Sequence, residues 1–248
     1  MFQMDNVKRF KLVACKVLQK EAYFCAARSK NVIDIAFMPQ GLHKEPDTLR
    51  AELKNALKSD VDLHERPYDA ILLGYGLCSN GIIGLSAKVP IVVPRGHDCV
   101  TLLLGSKERY QEYFDSHRGT YWYSPGWIDT GTQPGRDRYE SKLGEYREKY
   151  GDDNAEYLME TEQTWMKEYS WATYVEWHLP ASEQYKQYTK DCAEYLDWQY
   201  ESIEGDPCLI QKLLDGDWDA EDFLVIKPGE KIAEDLTNPG LIKPEPAE

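Results

Sequence analysis

Residues 68–106, YDAILLGYGLCSNGIIGLSAKVPIVVPRGHDCVTLLLGS, constrain the fold of this chain more than any other stretch. Two short apolar runs, 70–73 and 90–93, each open into a glycine-bearing loop. The first loop carries Gly74, Tyr75, Gly76, Cys78, Asn80 and Gly81, and the second Arg95, Gly96, His97, Asp98 and Cys99. An apolar run of this length, bounded by Gly or Pro, reads as a buried strand. Such strands, alternating with helices, build parallel sheets that place their ligands at the carboxyl edge.

The same rhythm runs upstream. Residues 11–14 (KLVA) read as a first strand ending at Cys15, with a helix over 17–29. Residues 32–38 (VIDIAFM) read as a second strand, followed by the turn PQGLH and a helix over 46–58 with Leu49, Leu53 and Leu57 on one face. Residues 79–87 predict a short helix or turn and 107–114 another helix. The order β-α-β-α-β-α-β-α predicts right-handed crossovers and a mostly parallel sheet.

Downstream the texture changes. Residues 119–135 (GTYWYSPGWIDTGTQPG) are aromatic and rich in turn residues, and read as an ordered loop or lid. Residues 139–169 are charged and helical in period, with a break near 151–153. Strands are expected over 172–177, 200–203 and 223–226, with helices over 182–196, capped by Ser182, and 207–214. The predicted class is α/β, with two Rossmann-like lobes of mostly parallel sheet. The first lobe spans 1–118 and carries the candidate site. The aromatic loop and helical insertion span 119–170, a second lobe 171–236, and a Pro-rich disordered tail 237–248.

Within such a sheet, four successive strand ends carry Cys15, His43, Cys78 and the His97/Cys99 pair. These five residues are the candidate metal ligands. His97 and Cys99 lie two apart, so in an extended loop both face one way. Asp98 is a candidate base or a partner that orients an imidazole, or else simply a helix cap. Gly74, Gly76, Asn80 and Gly81 form a candidate anion or cofactor cradle, with the end of a following helix behind it. The spacing departs from GxGxxG, so a dinucleotide site is not supported. Tyr75 or Asn80 is expected to orient substrate. Each residue also has a plainer reading as a packed cysteine, a surface histidine or a cap. Cys25, Cys192 and Cys208 read as packing residues. Tyr121, Trp122, Tyr123 and Trp127 suit either stacking on a substrate or a packed core.

Composition removes several classes. With 43 acidic and 29 basic residues the formal net charge is −14, which argues against nucleic-acid and anionic-membrane partners. No apolar run reaches the roughly 20 residues of a membrane span. The first residues lack the apolar core and cleavage site of a leader. Six cysteines with no CxxC pair read as thiols or metal ligands rather than a disulfide framework, and a cytoplasmic location is expected.

At GYGLCSNGIIGL, RGHDCVTLLLGSKERY and GTYWYSPGW the chain resembles the domain of unknown function 1638 family, a group of uncharacterised bacterial and archaeal α/β proteins. The likeness extends to ACKVLQKE, QGLH and the late EGD…LLDGDWDAEDFLVIKPGE segment. Where the family pattern has glycine at position 16, this chain has Lys16. The resemblance implies an association with corrinoid-dependent methyl transfer and carries no residue roles.

These readings point to a metal-dependent cytoplasmic protein acting on a small molecule, as a transferase or lyase, with zinc as the first choice for a thiolate and imidazole set. Methyl transfer is the specific reaction expected, with a corrinoid or methyltransferase protein as partner. One rival keeps Cys15, Cys78 and Cys99 as ligands of a [4Fe–4S] cluster. Others are a non-catalytic module that binds a small anion or corrinoid, and an accessory subunit docking through the acidic helical arm.

Overall fold

The computed structural model describes residues 7–235 and 241–247. The chain divides into two compact units, Met1–Tyr110 with Gly205–Glu248, and Gln111–Glu204.

The first unit is built on a five-stranded sheet. Strand β1 (Arg9–Cys15) leads through a 3-10 turn (Lys16–Leu18) into α1 (Gln19–Ala26). Strand β2 (Val32–Met38) follows, then a second 3-10 turn (Leu42–Lys44) and α2 (Pro46–Ala56). Strands β3 (Ala70–Gly74) and β4 (Ile91–Pro94) are joined by turns alone, and β4 is followed by α3 (Cys99–Leu104) and α4 (Lys107–Ser116). The sheet order is β2-β1-β3-β4, closed at one edge by a late strand. β1 pairs in parallel with both β2 and β3, and β3 with β4.

Physics explains the order. β3 and β4 are buried along their whole length, which demands cover on both faces. The chain steps outward from β1 to β2, then back across β1 to β3. With right-handed crossovers that reversal puts α1 and α2 on opposite faces. α2 buries Leu49 and Leu53, one turn apart, as its period predicts. The six residues of α3 are all buried.

The second unit holds a three-stranded parallel sheet, ordered β5-β6-β7. Strand β5 (Thr120–Tyr123) is followed by α5 (Pro125–Thr130), α6 (Arg136–Tyr150) and α7 (Asp152–Glu162). Strand β6 (Trp171–Glu176), α8 (Ser182–Leu196) and β7 (Gln199–Glu204) complete it. Residues 119–135 are therefore not a loop: they hold β5 and α5. Ser124 caps α5 by accepting the Trp127 N–H (3.2 Å), and Pro125 fits the first helical turn. The charged helices α6 and α7 form the crossover from β5 to β6. Ala181, at φ 69, occupies the cap position expected of Ser182, whose hydroxyl instead donates to Glu176 and to the Leu179 carbonyl. Tyr121 and Tyr123 pack with each other and with Ala172, Tyr174 and Trp198, so these rings serve a core.

The chain then returns to the first unit through α9 (Cys208–Asp215) and β8 (Phe223–Ile226). β8 pairs antiparallel with β4, with Phe223 opposite Pro94. The expected lobe over 171–236 therefore ends at Glu204. Its last helix and strand complete the first sheet, because FLVI is as good an edge strand for one sheet as for another. Strands β9 (Glu230–Glu234) and β10 (Ile242–Pro246) form an antiparallel pair. The expected tail is thus ordered over 242–246. Its residues 237–240 and 248 lie outside the described residues. Pro244 is tolerated because an edge strand does not need every N–H.

Candidate functional site

The sheet order makes the carboxyl ends of β1 and β3 a topological switch point. β2 and β3 flank β1, and with right-handed crossovers their connections lie on opposite faces, the place where open α/β sheets put their ligands. Three cysteines lie there. Cys15 is the last residue of β1, Cys78 follows β3, and Cys99 opens α3 beyond β4.

Two glycines allow the approach. A Cβ on Gly74 would sit 2.5 Å from the Ala14 Cβ, so glycine lets β1 and β3 close at their ends. A Cβ on Gly76 would sit 2.6 Å from the Asp98 nitrogen and 2.7 Å from the Gly96 oxygen, both backbone atoms. Because Gly76 leaves that space, the loops after β3 and β4 zip together. The Leu77 N–H donates to the Gly96 carbonyl (2.8 Å) and the Cys78 N–H to the His97 carbonyl (3.0 Å). This register brings Cys78 to Cys99. The predicted cradle glycines thus serve close packing here; Gly81 likewise lies against Leu49 of α2.

No helix follows Cys78. Cys78, Ser79 and Asn80 all adopt left-handed backbone, at φ 46, 56 and 64. Each such non-glycine residue costs on the order of 1 kcal/mol and persists only where its surroundings hold it. Arg50 of α2 is one holder. Its guanidinium donates to the carbonyls of Ile83 (2.8 Å) and Asn80 (2.9 Å). The β9 strand is another: the Gly84 N–H donates to the Ile232 carbonyl (2.7 Å) and the Ile232 N–H to Leu85 (2.9 Å). Arg50→Ala is expected to lower stability by about 1–3 kcal/mol, the range for hydrogen bonds from a charged donor. Hydrogen exchange over residues 78–85 will show the loosening; an unchanged exchange pattern would remove Arg50 from this role.

The Cys15 and Cys78 thiols, with burial, push the Cys99 thiol well above its usual range. Cys99 pulls the Cys15 thiol down; burial opposes this, and the N–H groups of Val17 and Lys16 add to it. Lys16 stands outside the left-handed region, so this turn does not require the glycine of the family pattern. Tyr75, 2% exposed, completes the cluster. Burial, then Cys15, Cys99 and Cys78, push its phenol far up, so it stays protonated, and its hydroxyl has no hydrogen-bond partner.

The imidazoles stand apart from the sulfurs. His97 is exposed and stacks on Tyr110, ring centres 6.3 Å apart. Asp98 caps α3, accepting from the N–H groups of Val100 (2.9 Å) and Thr101 (3.3 Å), and takes the Tyr110 hydroxyl at 3.2 Å. Burial nevertheless raises its carboxyl above the usual range. His43 is exposed. Desolvation of its ring and Lys44 hold it below the ordinary imidazole value, against the pull of Asp98. The structure thus gathers Cys15, Cys78, Cys99 and Tyr75 at one sheet edge, with Asp98 hydrogen-bonded to Tyr110 and the two histidines exposed. Among the described residues no group of three or more His, Cys, Asp or Glu side chains is placed so that it could hold a metal ion.

Arg50, Tyr110 and the β9 brace had no signal in the sequence. Each acts through contacts between segments remote along the chain.

No helix among the described residues is long and apolar enough to cross a membrane. No curated protein matches the chain, and neither does any solved structure. One family model matches residues 37–214, a narrower span than the resemblance suggested. It covers Cys78 and Cys99 and begins after Cys15. On that match, over more than half its length, the chain belongs to the family described as protein of unknown function DUF1638.

Proposed function

We propose that this is a metal-dependent protein acting on a small molecule, with Cys15, Cys78 and Cys99 as the ligands of one zinc ion. The observation that carries the reading is the placement of three buried cysteines from three separate segments at the switch point of a parallel sheet. Thiolate sulfurs suit zinc by their chemistry. Loading releases the thiol protons, as thiolate sites require. The unpartnered Tyr75 hydroxyl also fits, since a buried polar group lacking a partner is the mark of a place where a ligand supplies one.

A zinc ion held by Cys15, Cys78 and Cys99 would supply Lewis-acid activation of a substrate. The chain's own residues do the rest. The Lys16 and Val17 N–H groups stabilise the Cys15 thiolate. The left-handed turn holds Cys78, and burial of all three cysteines keeps bulk water away. Methyl transfer with a corrinoid protein as partner rests on the family resemblance alone. Six unpaired thiols support a reducing, cytoplasmic setting.

An all-sulfur set also suits a [4Fe–4S] cluster with one open iron. Elemental analysis and a visible spectrum of protein purified without oxygen test both, beside a Cys78→Ala/Cys99→Ala variant. Near-stoichiometric zinc, lost in the variant, is expected. Iron with sulfide and broad visible absorption would establish the cluster instead, and neither metal in either protein would refute both.

A further inference from the structure

We propose that β2 is the pairing edge for a second copy of this chain, and that two molecules join antiparallel through it about a two-fold axis at Ile35. The proposal is independent of the metal reading above.

β2 differs from the other edges of the described sheets. It ends the five-stranded sheet, and no described strand pairs with its outer side. It runs for seven residues, VIDIAFM, none of them buried, whereas β3 and β4 are buried throughout. A row of unpaired N–H and C=O groups on an apolar strand is a template for another chain, and edges are ordinarily blunted by shortness, Pro or charge. The other edges follow that rule. β5 and β8 have four residues each. β7 carries Glu201 and Glu204, β9 carries Lys231, and β10 carries Lys243, Pro244 and Pro246. β2 has neither Pro nor Lys. Its one charged residue, Asp34, accepts the Tyr68 hydroxyl at 3.0 Å.

Backbone direction and charge then select the occupant and the register. The Val32 N–H donates inward to the Lys8 carbonyl (2.9 Å). Backbone groups alternate in direction along a strand, so those of Ile33, Ile35 and Phe37 point outward. That set is symmetric about Ile35 and therefore self-complementary. With the axis there, Ile35 meets the partner's Ile35, Ile33 meets the partner's Phe37, and Phe37 meets the partner's Ile33. Each is a hydrogen-bonded pair that exchanges both of its bonds. Between them Asp34 faces the partner's Ala36, and Val32 faces the partner's Met38, so no like charges oppose. An axis at Asp34 would set two carboxylates face to face. An axis at Ala36 would set Ile33 against the partner's Pro39, which has no N–H to give.

Side chains agree with this register. Ile33, Ile35 and Phe37 share one face, and apolar pairs directly across two strands stabilise a sheet. Tyr23 of α1, 52% exposed, lies edge-on to Phe37 with ring centres 5.5 Å apart and widens the apolar strip. An isologous contact closes on itself, which gives a dimer rather than a fibre. The net charge of −14 on each copy opposes association, and salt screens it over a Debye length of about 10 Å at about 0.1 M.

Sedimentation equilibrium of the full-length protein at that ionic strength should give the mass of two chains. In the dimer the amides of Ile33, Ile35 and Phe37 should exchange as slowly as those of Val32 and Asp34, which point into the sheet. Two substitutions test the register, because Ala36 faces the partner's Asp34. Ala36→Lys brings opposite charges together and Ala36→Asp brings like charges together, so the dimer of Ala36→Asp should dissociate at about tenfold or more higher concentration than that of Ala36→Lys. Ile35→Pro removes an outward N–H that the single molecule does not use in its sheet, and should be monomeric. A monomeric wild type overturns the proposal, as does rapid exchange at residues 33, 35 and 37 in a dimer. Equal dissociation of the two Ala36 variants overturns it too, since the contact then lies elsewhere or in another register. If Ile35→Pro does not fold, the Ala36 pair and the exchange of wild type decide.

Discussion

Gly76→Ala is expected to unfold the site and to cost the first unit about 3 kcal/mol, the upper part of the range for overpacking. The new Cβ would lie 2.6–2.8 Å from the Asp98 nitrogen, the Gly96 oxygen and the Asp98 Cα, all backbone atoms. A side chain can swing away from such a clash; a backbone docked by two hydrogen bonds cannot. The loops must part, which breaks Leu77 N–H to Gly96 and Cys78 N–H to His97 and separates Cys78 from Cys99. At about 2–4 °C per kcal/mol for a chain of this size, the thermal midpoint should fall by about 6–12 °C. On the proposed zinc reading, metal content should fall with it. Gly144 in α6 is the control, since nothing lies within 4 Å of its added Cβ and its backbone is helical. Gly144→Ala should be neutral or stabilising by up to about 1 kcal/mol. If Gly76→Ala melts with wild type and keeps its metal, the two loops are not docked as described.

Lys186→Met should have the second large effect, in the other unit. Glu176, at the end of β6, is 1% exposed, and Lys186 of α8 pairs with it. The His178 N–H (2.6 Å) and the Ser182 hydroxyl (2.8 Å) also donate to the carboxylate. Burial by itself would raise the Glu176 carboxyl; Lys186, His178 and Ser182 outweigh it and hold the group below its usual range. Removing the cation strands a buried carboxylate, which costs about 3–5 kcal/mol for a fully buried pair. Lys186 is one-fifth exposed, so about 2–4 kcal/mol is expected at pH 7. The pH dependence has a definite sign. A depressed folded value makes the contribution complete above the unfolded glutamate pKa of about 4.3, and it fades as pH falls through the lower folded value. In Lys186→Met, burial acts unopposed by any cation and favours the protonated acid. The gap between wild type and variant should therefore narrow as pH drops below about 4. Denaturant midpoints at pH 7 and pH 4 will measure it; a gap independent of pH would mean that Lys186 stabilises through packing rather than charge.

Residues 32–38, 70–73 and 90–93 could be read as strands because their apolar runs are local and bounded by breakers. α2 declared itself by Leu49, Leu53 and Leu57, and α6 and α7 by charge periodicity with a gap at Gly151. β5 and α5 did not, because aromatic and turn residues mask a strand of four followed by a helix of six. The return of α9 and β8 to the first sheet was equally illegible. An apolar quartet states that it will be buried and does not state against which neighbour.

The candidate site divides in the same way. Sequence by itself determined the residue types and their places at strand ends: Cys15, Cys78 and Cys99 follow runs that can only be core strands, and the glycines flank them. Only tertiary structure decided which of these side chains meet. The strand order 2-1-3-4, the space left at Gly76 and the zip of the two loops put three thiols and Tyr75 in one cluster. The cap at Asp98 and the ring of Tyr110 keep His97 at the surface. The physical reason is range: strand and helix signals arise from neighbours a few residues apart, whereas a site assembled from β1, β3 and β4 depends on backbone approach between segments dozens of residues apart.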